Sequence, residues 1–142
     1  MRLWHKDLIS VLPKQQLVGQ WRECCCIAKN IAEKGTPNHL LVNKITDYPS
    51  DHFLRYGAEV YEEMVRRGYK CEAWRFVQHF MDCNDFCANR VSHDDLFYLW
   101  HDDGYFIQCF YNLQEKYDCG GISRAEWTKV LELYFRKKKG GL

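Results

Sequence analysis

The segment between Pro13 and Pro37 constrains the fold more than any other part of the chain. Leu17, Trp21, Cys24, Ala28 and Ile31 recur at steps of three and four, the period of one helical face. Pro13 suits the first turn of a helix, Gly35 suits a left-handed C-terminal cap, and Pro37 blocks continuation. The spacing predicts an amphipathic helix from Pro13 to about Glu33.

The rest of the chain also reads as helical. "LLVNKITDYPSD" is a short connection with a turn at Pro49. Phe53, Tyr56, Val60 and Met64 share a face of a second helix over about Asp51–Arg67, which Gly68 stops. "CEAWRFVQHFMDCNDF" predicts a third, shorter helix. "SHDDLFYLWHDDGYFIQCFYNLQEKYDCGG" predicts a fourth, interrupted near Gly104 and ended by Gly120 and Gly121. "SRAEWTKVLELYFRKK" predicts a fifth, with Ser123 and Glu126 at capping-box spacing. The expected fold is an all-α, compact single-domain bundle of about five helices spanning residues 1–142. The basic stretch 136–142 is expected to be a flexible tail.

Composition narrows the function classes. The 142 residues are 46% apolar and 15% aromatic, enough for a core without disulfides or metal. With 20 basic and 19 acidic side chains, no chain-wide field favours one class of partner, so nucleic-acid binding needs a local cluster. No apolar run approaches the roughly 20 residues of a membrane span. The first residues, "MRLWHKDLISVLPKQQ", carry no secretory h-region. The expectation is a cytoplasmic monomer whose 8 cysteines are reduced thiols.

On the first helix, Trp21, Cys24 and Ala28 fall within about 40° of Leu17 at 100° per residue. Gln15, Gly19, Arg22, Glu23, Cys26 and Lys29 gather on the opposite side. Gly19 is a poor helix former, costing roughly 1 kcal/mol against alanine. It leaves room for something to approach between Gln15 and Glu23. The pattern by itself equally describes a solvated face with an incidental glycine.

"MRLW…SVLPKQQLVGQWRE" resembles the start of the endonuclease V-like pyrimidine-dimer DNA glycosylases, and most closely their short bacterial branch. The shared frame is Ser10, Leu12, Gln15, Leu17, an aromatic at Trp21, then Arg22 and Glu23. It continues through His39, Lys44-Ile45-Thr46 and "EEMVRRGYK", and more loosely through "HDDGYFIQCFYNLQEKY". The resemblance implies an all-helical domain that removes a damaged base and then cleaves at the abasic site. It implies no metal or other cofactor, and double-stranded DNA with a damaged or abasic site as partner. The nucleophile would be the α-amine of Met1 and the essential carboxylate Glu23. Arg2 and Arg22 would hold phosphates, with Gln15, Gly19 and Lys29 on the same DNA-facing surface.

That chemistry suits those groups. α-Amines titrate near 7.7–8.0, about two and a half units below lysine, so an unprotonated fraction exists at neutral pH. Attack on sugar C1′ expels the base and leaves an iminium, which acidifies the C2′ proton and allows β-elimination. A nearby carboxylate works later, stabilising the sugar cation and moving protons. Two departures from the family's phage endonuclease V, which exposes a threonine amine after Met removal, stand out. Arg2 follows Met1 and its bulk should block Met removal, so the nucleophile shifts to Met1 itself. Cys26 stands where the family has another DNA-contacting arginine.

Other features admit competing readings. Consecutive cysteines at 24–26 point about 100° apart on a helix, so they cannot converge on one metal. His79, Cys83 and Cys87 share a helical spacing and would supply three zinc ligands, but no CxxC pair accompanies them; buried thiols are the commoner outcome. The repeated His-Asp-Asp at 93–95 and 101–103 fits metal-dependent hydrolysis or, more commonly, helix capping by Asp94 or Asp95. His39 and His101 are pocket candidates. Three functions follow: a glycosylase with lyase activity, a non-catalytic helical DNA- or protein-binding module, and a thiol- or metal-dependent enzyme.

Overall fold

A computed structural model describes residues 1–80 and 90–142. Among them every regular element is helical: α1 (Lys14–Lys34), α2 (Ser50–Arg66), the single turn α3 (Trp74–Val77), α4 (Asp103–Asp118) and α5 (Arg124–Lys139). Two 3-10 helices, η1 (Lys6–Val11) and η2 (Asn43–Asp47), precede α1 and α2. The bundle expected from the periodicity is the fold observed.

α1 packs on α2 and α3, α2 also meets η1 and η2, and η1 in turn receives α5, which pairs with α4. The predicted stripe of α1 faces this core: Leu17, Trp21, Cys24 and Ala28 are buried, and Ile31 packs against its margin. Phe53, Tyr56, Val60 and Met64 of α2 are buried opposite. Between α4 and α5 the rings stack: Phe110 lies 4.2 Å from Tyr134 and Tyr117 lies 5.2 Å from Trp127.

The caps explain the boundaries. Pro13 sits at the N-cap of α1, one residue outside the helix, and has no side chain with which to cap it. Glu126 does so from α5, accepting the Lys14 N–H at 2.7 Å while completing the capping box with Ser123. Gly35 ends α1 in the left-handed conformation, φ 74°, as expected. The Arg-Arg-Gly signature after α2 also has a structural task. Arg67 pairs with buried Glu63 and donates to the carbonyls of Leu12 and Ser10, locking the end of α2 onto η1.

Three expectations are corrected. The fourth helix does not begin in the first His-Asp-Asp: residues 92–101 form turns, and α4 starts at Asp103. Its cap is Asp102, which accepts the Tyr105 N–H at 2.8 Å, so Gly104 lies in the first turn and interrupts nothing. The third helix is a four-residue turn within the described residues. The basic stretch expected to fray is helical through Lys139, and Lys137 binds Asp7 at 2.5 Å beneath the ring of Phe106. No helix among the described residues is long and apolar enough to cross a membrane.

Candidate active site

The expected face of α1 is the outward one. Gln15, Arg22, Cys26 and Lys29 are exposed, and Gly19 and Glu23 are half-buried between them. A Cβ built on Gly19 meets nothing within 4 Å among the described residues, so none of them requires glycine there.

The N-terminal residues cross this helix. The Arg2 N–H donates to Glu23 Oε2 at 3.2 Å. The carboxylate is therefore joined to the chain one residue beyond Met1, whose side chain is exposed. The Arg2 side chain turns back over the bundle, with its guanidinium 5.4 Å from the centroid of the Trp4 ring. It lies beside the Tyr105 hydroxyl and the Cys109 thiol and draws both pKa values down, but burial outweighs it and both groups titrate above their ordinary values. Of the expected residues, the structure thus joins Arg2 to Glu23, with Met1 one residue along the chain and Gly19 and Arg22 on the same helix as Glu23. Gln15 lies two turns before Glu23 on the same face, and Lys29 nearly two turns beyond.

Three residues near the site were not expected. Gln20 is 1% exposed and binds the main chain of both Arg2 and Trp4. Tyr56 donates its hydroxyl to the Trp4 carbonyl at 2.6 Å, and Tyr105 donates to the Leu3 carbonyl at 2.5 Å. Gln20 could have been found: it falls about 60° from Leu17 on the helical wheel, inside the apolar arc, where a polar side chain must find partners. The tyrosines carry no such signal, since buried aromatics are ordinary core residues.

The other candidates separate. His101 is buried among Tyr56, Phe97, Trp100 and Tyr105 and accepts the Lys6 N–H at Nδ1, so it belongs to the core rather than to an open pocket. Burial holds its pKa well below the usual histidine value. His39 makes local bonds with Asn43 and Leu41. Cys24 and Cys25 are buried, and desolvation pushes Cys25 up to about 11, which leaves it a poor nucleophile. Cys26 is an exposed free thiol. Of the possible zinc set, Cys83 and Cys87 lie outside the described residues, and His79 lines an apolar pocket with Phe53 and Phe80. Among the described residues no three histidine, cysteine or acidic side chains are placed to hold a metal ion.

Residues 1–74, just over half of the chain, match the model of the family described as pyrimidine dimer DNA glycosylase. The chain belongs to that family. The matched segment contains the whole N-terminal crossing, the face of α1 and Tyr56, but not Tyr105. No curated protein and no solved structure matches the chain. Membership makes this a DNA-repair glycosylase by class, acting on DNA.

Proposed function

We propose that this glycosylase couples base removal to abasic-site cleavage through a Schiff base on the amine of Met1, assisted by Glu23, on double-stranded DNA carrying a damaged base of the pyrimidine-dimer type. The observation that carries the reading is the 3.2 Å bond from the Arg2 N–H to Glu23, because it joins the start of the chain to a carboxylate on an open helical face.

The steps balance within the chain and the DNA. The unprotonated amine attacks C1′, the bond to the base breaks, and the base leaves with its electron pair and takes up a proton. The C1′–O4′ bond then opens, O4′ gains a proton, and an iminium joins nitrogen to C1′. Removal of a C2′ proton expels the 3′ phosphate, and water finally releases the amine. Glu23 stands where it can stabilise the cationic sugar and accept or return protons. The exposed Arg22 would take a phosphate by its two-pronged guanidinium, with Gln15 and Lys29 extending the contact along α1. The damaged site is opened at least cost where stacking is already broken. The enzyme would act as a monomer in the cytoplasm.

Borohydride reduction tests the reading. Incubated with abasic-site duplex DNA, the protein should yield a covalent adduct, and the cross-linked peptide should be the N-terminal one. Extending the N-terminus by a few residues should abolish it. Glu23→Gln should slow strand cleavage by at least tenfold, as expected for loss of a general acid–base group, with little change in affinity. No adduct under conditions that trap a known lyase would overturn the Schiff-base reading; the non-catalytic binding module would then be favoured only if the protein also releases no base.

A further inference from the structure

Residues 2–4 are neither helix nor sheet, yet nearly all their main-chain polar groups are hydrogen-bonded, and each of these partners is a side chain. The Arg2 N–H is bound by Glu23 and the Arg2 carbonyl by Gln20 of α1. The Leu3 carbonyl is bound by Tyr105 of α4. The Trp4 N–H is bound by Gln20 again and the Trp4 carbonyl by Tyr56 of α2. Three helices thus grip three consecutive residues.

Gln20 is the centre of this arrangement. Its Nε2 donates to the Arg2 carbonyl at 2.9 Å and its Oε1 accepts the Trp4 N–H at 2.7 Å. A parallel strand would offer one residue's N–H and C=O to the same two groups. One carboxamide therefore fixes both the direction and the register of the segment. A slip of one residue would break both bonds and leave a buried amide unsatisfied, which is strongly disfavoured. Ordinary anchoring of a chain terminus needs only apolar contact, which Leu3 and Trp4 already supply, both being buried. The additional specification is of register, and register sets where the amine one residue before the Glu23-bound amide lies.

We propose that Gln20 is a positioning residue, holding the N-terminal segment in the one register that presents the Met1 amine to the sugar beside Glu23. This rests on the amine-nucleophile reading above. Misplacement by about 1 Å costs roughly 10²-fold in rate when reactants must be aligned.

The experiment is single-turnover borohydride trapping on abasic-site duplex DNA by the parent protein, Gln20→Ala and Gln20→Glu, with thermal melts and DNA affinities beside it. Gln20→Ala should lose about 10²-fold in trapping rate per folded molecule, with affinity within about twofold of the parent. Gln20→Glu keeps the shape, but its carboxylate cannot donate to the Arg2 carbonyl, whereas its protonated form can. The ratio of its trapping rate to the parent's should rise as pH falls from 8 to 5.5. Any other pH dependence shared by the two proteins divides out of the ratio to first order. A residue that only adds stability would give a flat ratio. If Gln20→Ala does not fold, the pH ratio decides alone. A parent that traps alongside a Gln20→Glu variant trapping at the parental rate at every pH overturns the positioning role and leaves the lyase reading standing. A parent that forms no adduct overturns both.

Discussion

At the scale of single residues, the conspicuous cysteines and the inconspicuous glycine exchange importance. Cys24 and Cys25 are core thiols and Cys26 is an exposed one, so the triplet follows from consecutive residues pointing in different directions around a helix with one buried face. Gly19 has a helical backbone and open space where a side chain would stand. Nothing among the described residues repays its poor propensity. Gly19→Ala should therefore stabilise the protein by about 1 kcal/mol, raising the melting midpoint by about 3 °C. If DNA approaches α1 through this gap, the same methyl group should weaken binding to an abasic duplex. A thermal melt and a fluorescence titration of one sample check both halves. A more stable protein with unaltered affinity would show that DNA does not use the gap.

At the scale of elements, the packing of α2 on α3 depends on the other helical glycine that matters. A Cβ on Gly57 would lie 2.3 Å from the ring of Phe76, which is fully buried. That ring also packs on Phe53 and Trp21, so it cannot swing aside freely. Gly57→Ala should cost about 1–3 kcal/mol of stability by overpacking, measurable by urea denaturation, and Gly57→Ala with Phe76→Leu should recover part of it. This contact was not legible in the sequence, because a glycine in a helical pattern names no partner. The helices themselves were. α1, α2 and α5 each have a regular apolar stripe and a recognisable stop or cap, and their ends were expected to within about two residues. The fourth helix was misplaced because two His-Asp-Asp triplets offered two equivalent starts. Leu96, Phe97 and Trp100 recur at helical spacing, although the segment folds as turns. Of the site, Glu23, Arg22 and Gly19 could be read from one face of one helix. The grip on residues 2–4 could not, since it needs α2 and α4 brought in from distant sequence.

At the scale of the whole molecule, two sets of histidines set opposite limits on the pH range of the fold. His5 is buried beneath α4, bound to the His101 carbonyl, and burial lowers its pKa to about 4; His101 is lowered for the same reason. A histidine kept neutral by the fold gains a proton more readily when unfolded. Its contribution is complete above about pH 6.5 and is lost as pH falls toward the folded value, on the order of 3 kcal/mol for His5 by pH 4. His93 lies between Asp7 and Glu59 and is hydrogen-bonded to both, so it bridges η1 to α2. Its hydrogen bond to Asp7, then that to Glu59, raises its pKa to about 9. Here the fold favours the charged ring, so the contribution is complete below about pH 6.5 and disappears as pH rises through 9. His93 is 38% exposed, so screening reduces the gain to about 1 kcal/mol. Stability should therefore peak near neutrality, falling steeply on the acid side and gently on the alkaline side. His93→Gln should flatten the decline between pH 7 and 9.5 while leaving the acid limb in place. Thermal melts of both proteins across pH 4.5–9.5 check this, and an alkaline limb that persists in the variant would assign it to groups other than His93.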